Sequence, residues 1–247
     1  MFSILLRLLR KSAPEISKIL SQYGAASHSS PKQIEEPRIN LYPLKYPQPY
    51  IRMNRIGKLY LRKRGFDPDQ LETDWDLKQT GPVSFLDSIV YSNRILIPIY
   101  WGGEVVSFQS RDITGQSDRK YMACPMKRET LHHKDIVYKS PTAQKEEVPL
   151  IVVEGVTDVW RLGICAVATF GTSFKMEQVI ELAGLRDDFI VMFDNERQAQ
   201  EQAAKLAVKL RSLGKRVRIE TVSTDPGDME QEEANQLVSK LLSKRMN

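Results

Sequence analysis

Six acidic residues in the C-terminal part of the chain sit next to short apolar runs. Glu154 follows Ile151-Val152-Val153 directly, and Asp158 lies four positions on. Asp194 and Glu196 follow Ile190-Val191-Met192-Phe193, and Asp225 and Asp228 flank Pro226-Gly227 after a further apolar run. Carboxylates that converge repel one another unless cations neutralise them. Hard divalent cations such as Mg²⁺ take oxygen ligands and leave coordination positions for water and phosphate. Two such ions about 3.5–4 Å apart stabilise both the attacking and the leaving oxygen of a phosphoryl transfer. Each pair alone has another reading. An acid after a strand also serves as a helix N-cap, which applies most to Asp228. Glu196 also suits the first turn of a helix on dipole grounds. What favours the cation site is that all three clusters occupy the same place in a repeating pattern.

That pattern is an alternation of strands and helices. Strands are expected over 150–153, 166–170, 189–193 and 217–222, and helices over 155–162, 175–183, 196–213 and 229–242. Such alternation makes a mainly parallel sheet with helices on both faces. Sites in these sheets lie beyond the carboxyl ends of the strands, where the three clusters fall. The fold class expected is therefore α/β, preceded by a smaller basic α+β domain. In that domain a helix is expected over 52–64, stopped by Gly65, with a second after Asp67-Pro68. Residues 94–100 and 104–111 read as a hairpin about Trp101-Gly102-Gly103, with shorter strands near 120–122 and 136–138. The Ser- and Pro-rich stretch over 25–50 reads as an extended, solvated linker, and residues 1–24 as a helical segment. A targeting peptide is the competing reading for the first residues. The domain boundaries expected are thus 1–24, 25–50, 51–148 and 149–247.

Charge divides along the same lines. Residues 1–150 hold 23 Lys and Arg against 16 Asp and Glu, whereas residues 151–247 hold 13 against 15. From Arg38 to Arg64 there are eight basic residues and no acidic one. A basic half joined to an acidic half fits phosphate binding beside cation binding, although a solvated helix face gives the same run. Cys124 and Cys165 are the only cysteines and have no neighbouring ligand pattern, so no zinc site of the cysteine type is expected in this chain. No disulfide framework is expected either, which makes a reducing compartment, the cytoplasm, the default. No apolar run is long enough to span a membrane.

Glu154-Gly155-Val156-Thr157-Asp158, Phe170-Gly171-Thr172, Asp194-Asn195-Glu196 and Asp225-Pro226-Gly227-Asp228 resemble, in order and spacing, the TOPRIM domain of bacterial and phage DNA primases. The family's middle cluster is Asp-x-Asp, and Glu196 departs from it. Upstream, Tyr60 to Phe66 resembles the family's small helical element. Arg94 to Ile99 resembles its N-R-I-x-x-P-I strand, Arg119-Lys120-Tyr121 its P-K-Y stretch, and His133-Lys134 its later His-Lys turn. The resemblance covers about residues 50–240. It implies template-directed synthesis of RNA primers on single-stranded DNA from ribonucleoside triphosphates. Glu154 is then the catalytic base, and Asp194, Glu196, Asp225 and Asp228 are ligands of Mg²⁺ or Mn²⁺, with Asp158 a further acid of the site. Arg62, Lys63, Arg64, Arg111, Lys120 and Lys134 would meet nucleic acid or nucleotide. Family primases also carry a zinc-ribbon. Two cysteines do not build one, and Phe2 to Leu20 resembles the helical tail that follows it in phage primases. A separate zinc-ribbon polypeptide and a replicative helicase are the partners implied, in the bacterial host cytoplasm if the gene is a phage's. The same carboxylate fold also serves nucleases, and a silent binding subunit would keep it as well.

Overall fold

The structure, a computed structural model, describes residues 43–140 and 148–244, all within the compact unit Tyr42–Asn247. The helical segment expected over 1–24 and most of the expected linker lie outside the described residues.

The first layer is an antiparallel sheet. Its strands are β1 (Gln48–Ile51), β2 (Lys78–Leu86), β3 (Ile89–Val90), β4 (Arg94–Trp101), β5 (Glu104–Asp112) and β6 (Tyr121–Ala123), in the order β1-β2-β4-β5-β6 with β3 on β2. The hairpin β4–β5 turns at Gly102 and Gly103, with φ of +62° and +87°. A two-residue turn with both central residues left-handed matches the twist of the flanking strands. Between β1 and β2 run helices α1 (Arg55–Lys63) and α2 (Pro68–Trp75). Asn54 caps α1 by accepting from the Ile56 and Gly57 amides, and Asp67 caps α2 by accepting from those of Asp69 and Gln70. Each cap satisfies N–H groups the first turn leaves without partners.

The second layer is wholly parallel. Strands β7 (Leu150–Val153), β8 (Ala166–Ala168), β9 (Asp188–Val191) and β10 (Arg216–Ile219) stand in the order β10-β9-β7-β8. They alternate with α3 (Val156–Leu162), α4 (Met176–Leu185) and α5 (Arg197–Ser212), and α6 (Gln231–Ser243) closes the unit. Side chains alternate across a strand, and β7 shows what that achieves. Leu150 and Val152 pack with Val179 and Leu182 of α4 and Ala203 and Leu206 of α5. Ile151 and Val153 pack with Val159 of α3 and Ala234 and Leu241 of α6. Helices therefore cover both faces, as the near-continuous apolar strands require.

The two layers share one core. Ile95, Ile97 and Ile99 of β4 belong to the same buried cluster as Ile151, Val153 and Val159. This explains why every residue of α3 is buried. Three sequence expectations change. Residues 43–50 are not a solvated linker: Leu44 and Tyr46 pack against Leu96 and Phe108, and β1 begins at Gln48. Strands β2 and β3 were not anticipated. Residues 136–138 form no strand of the first sheet; a 3₁₀ turn, His133–Asp135, precedes them, and Tyr138 bridges to Ala168 of the second.

Candidate active site

Glu154 and Asp194 follow the carboxyl ends of β7 and β9, and Asp225 lies beyond that of β10. With Asp158 they line one open depression of about 260 Å³, whose other wall carries Arg64, Arg111 and Lys120. The backbone fixes much of this. The Asp194 amide donates to Glu154 Oε1 at 2.9 Å, so adjacent strand ends hold each other. Asp158 sits in the first turn of α3, where its carboxyl accepts from the Gly155 amide at 2.8 Å and the Gly227 amide at 3.2 Å. A Cβ on Gly227 would lie 2.8 Å from Asp158 Oδ1 and 2.9 Å from Thr157 Oγ1, so only glycine permits this approach.

The carboxylates raise one another's proton affinity. Burial, followed by the charges of Asp194, Glu196 and Asp225, lifts Glu154 to a pKa of about 7, against the partial relief of the Asp194 amide. Burial and Asp225 lift Asp158 well above the usual carboxylate range, and the two acids share a hydrogen bond. Burial, Asp225 and Glu196 raise Asp194 too, while Lys120 opposes. A group of acids held together at such electrostatic cost matches the donor set of a hard divalent cation.

Two expected ligands stand apart. Glu196 does not line the depression, although its charge is felt by Glu154 and Asp194. It is exposed at the N-cap of α5. Asp228 is also exposed and is ion-paired with Arg64, whose guanidinium donates to the Gly227 carbonyl at 3.2 Å as well.

The basic residues have varied surroundings. Arg111 is buried, with its guanidinium 4.9 Å from the Tyr121 ring centre and 5.8 Å from that of Tyr60. It donates to both tyrosine hydroxyls and has no carboxylate partner among the described residues. Lys120 is exposed; its carbonyl accepts from the Asp112 amide at 3.0 Å, while its ammonium makes neither ion pair nor hydrogen bond among the described residues. Arg62 is exposed and 3.6 Å from Asp69; Lys63 is exposed beside it on α1. Lys134 does not line the depression: its ammonium donates to the carbonyls of Thr169, Phe170 and Ser173.

Sequence reading assigned no role to Tyr60, Tyr121 or Arg161. The tyrosines lay within motifs already singled out, so the signal was present. Arg161, between Trp160 and Leu162, gave none. Its buried guanidinium donates to the carbonyls of Arg64 (2.7 Å) and Gly65 (2.9 Å) and stacks 4.0 Å from the Phe66 ring centre. It thereby satisfies carbonyls left over at the end of α1 and fixes Arg64 at the rim.

Glu129, His132 and His133 form a further cluster. Each imidazole Nδ1 lies 2.5 Å from one Glu129 oxygen, and the Ser107 hydroxyl donates to Oε1 at 2.7 Å. Donors around one zinc ion stand roughly 3.4 Å apart, so these are hydrogen-bond distances. Burial raises the Glu129 proton affinity, but the hydrogen bonds from His133 and His132 outweigh it and keep the carboxylate ionised.

Among solved structures, the chain is similar to the primase catalytic domain of DnaG bound to single-stranded DNA. The TM-score is 0.65 at 20% identity, over 76% of this chain and 72% of that one. The fold is that of primase catalytic cores. The Escherichia coli primase catalytic core gives a TM-score of 0.62 at 21% identity, over 75% and 72% of the two chains. The zinc-binding and RNA polymerase domains of Aquifex aeolicus primase give 0.63 at 22%, over 76% of this chain. The present chain spans 56% of that Aquifex chain. No family model and no curated protein matches the chain. In this primase-type fold no helix of the described residues is long and apolar enough to cross a membrane.

Proposed function

We propose that this chain is the RNA-synthesising core of a DNA primase, joining ribonucleoside triphosphates into short primers on single-stranded DNA. The observation that carries this reading is the depression in which Glu154, Asp158, Asp194 and Asp225 face Arg111 and Lys120. Acids suited to cations and basic side chains suited to phosphate share one depression, within a primase-core fold. The parallel layer is then the TOPRIM-type catalytic part (149–247), and residues 51–148 are the basic part of the core.

Asp194 and Asp225 are the residues that would hold Mg²⁺ or Mn²⁺, with Glu196 close enough to add charge. A bound divalent cation supplies charge neutralisation for the triphosphate and the developing oxyanion. Glu154 takes the proton from the 3′-hydroxyl as its oxygen bonds to the α-phosphorus of the incoming nucleotide and pyrophosphate leaves. Asp158, clasped by two backbone amides, fixes the turn that presents Glu154 and Asp225. Arg111, stacked between two tyrosines and without an acidic partner among the described residues, offers its remaining N–H groups to phosphate. Lys120 and the exposed Arg62 and Lys63 hold the strand by salt-sensitive contacts. A zinc-ribbon outside residues 1–247 would read the initiation site, and a replicative helicase would deliver the template.

The test is primer synthesis by the chain on single-stranded DNA with ribonucleotides and Mg²⁺ or Mn²⁺, with and without a separate zinc-ribbon polypeptide. Short, template-dependent RNA is expected. DNA degradation without any nucleotide requirement would replace this reading with a nuclease. Folded, cation-binding protein that makes no RNA under any of these conditions would overturn it.

A further inference from the structure

Lys134 lies behind the active-site depression, in the 3₁₀ turn His133–Asp135. An ammonium has three N–H donors, and here three carbonyls take them: Thr169 at 3.2 Å, Phe170 at 2.9 Å and Ser173 at 3.0 Å. No donor remains for a phosphate.

The loop that Lys134 grips is strained and reaches the site. Phe170 has φ of +61° and Gly171 of +112°. An aromatic residue holds a left-handed conformation only where its surroundings fix it. Those surroundings are visible. The Thr169 hydroxyl donates to the Gly171 carbonyl at 2.8 Å, and the Gln178 amide donates to the Thr169 carbonyl at 3.1 Å. The Phe170 ring meets the His133 ring edge-on at 5.4 Å, and Glu129 holds His133 in turn. On the other side, the Gly171 amide donates to the backbone carbonyl of Glu154 at 2.8 Å. Phe170 and Gly171 themselves line the depression.

We propose that Lys134 is a positioning residue: it draws the 169–173 loop together from behind, so that Gly171 holds Glu154 at the height its chemistry needs. This deepens the primase reading and rests on it. It also replaces the expectation that Lys134 meets nucleic acid or nucleotide. Shape matters here as well as charge. Three carbonyls converge on a point donor, which the planar fork of arginine does not reproduce.

The experiment compares the full chain with Lys134→Arg, Lys134→Met and, as a control for phosphate contact, Lys120→Met. Amide hydrogen exchange at Gly171 is followed in cation-free protein, and the kinetics of primer synthesis are followed in parallel. Lys134→Arg is expected to accelerate exchange at Gly171 by about tenfold or more, while amides of α5 keep their protection. It is expected to lower kcat by about tenfold or more with the KM for nucleotide within about twofold of wild type. Lys134→Met is expected to do the same. Lys120→Met should raise KM and leave Gly171 exchange unchanged. Unchanged exchange at Gly171 in Lys134→Arg, or full activity restored by arginine, would overturn the proposal. The exchange measurement needs no catalysis, so it still decides the role of Lys134 if the chain synthesises no RNA, an outcome that sinks the primase reading alone.

Discussion

The two walls of the depression are built on different principles. On the acidic wall, position along a strand decides most for Glu154 and Asp194. Glu154 follows β7 directly and Asp194 lies three residues beyond β9, and adjacent strands bring them together with little help from other side chains. On the basic wall, position along the chain decides little. Arg64 is drawn to Asp228 and Arg111 to two tyrosines, while Lys120 stays open. The acidic wall is left with its charges opposed to one another, whereas much of the basic wall is satisfied within the protein. The first has the chemistry that suits an added cation. The second is largely a scaffold with a few donors to spare.

The largest effect should come from the acidic wall. Glu154→Gln keeps shape and removes the proposed base, so on this reading primer synthesis should fall by about 10²–10⁴-fold with the fold retained by circular dichroism. Activity near wild type would remove Glu154 from the chemistry and leave the acidic wall as a cation site alone.

The scaffold role of the basic wall is sharpened by Arg111→Met. Losing the cation strands two tyrosine hydroxyls and removes a stacked side chain, and urea unfolding should show a loss of about 1–3 kcal/mol. A loss in activity with no change in stability would mean that Arg111 is a substrate contact and nothing more.

A pH series tests the repulsion itself. The folded state holds the Glu154 proton up to about pH 7, against an ordinary value of 4.5, and Asp158 and Asp194 shift in the same direction. A folded pKa raised in this way stabilises the protein fully below the unfolded value and less as pH climbs through the folded one. The melting temperature of cation-free protein should therefore drop between about pH 4.5 and 7, and Glu154→Gln or added Mg²⁺ should reduce the drop. A flat profile would contradict mutual repulsion among these acids.

The smallest effect belongs to the open cation. Lys120→Ala should alter stability by no more than about 0.5 kcal/mol. It should also lower the salt dependence of single-strand binding by roughly 0.7 in log–log slope. An unchanged slope would place Lys120 off the path of the strand.

The same contrast explains what could be read from the amino-acid order. The parallel layer was legible element by element, with ends misplaced by up to three residues, because β7 and its neighbours are apolar runs separated by helices. Glu154, Asp158, Asp194 and Asp225 followed from strand ends. Glu196 and Asp228 fitted the same rule, but both are exposed and outside the lining of the depression, and a distant arginine supplies the partner of Asp228. Strand β2 was not assigned from the sequence: Gly81 and Pro82, residues that ordinarily interrupt a strand, lie within Lys78–Leu86, beside the edge strands β1 and β3. Lys134 and Arg161 were beyond reach for a different reason: their carbonyl partners are 35 or more and 96 or more residues away, and a carbonyl leaves no mark in a sequence.

Manganese binding, followed by electron paramagnetic resonance on the full chain, tests most directly whether the strand-end acids form one cation site. Asp194→Asn and Asp225→Asn should each weaken Mn²⁺ binding by about tenfold or more, while Asp228→Asn, whose carboxylate already belongs to Arg64, should stay within about twofold. Affinity unchanged in both Asp194→Asn and Asp225→Asn would contradict the account.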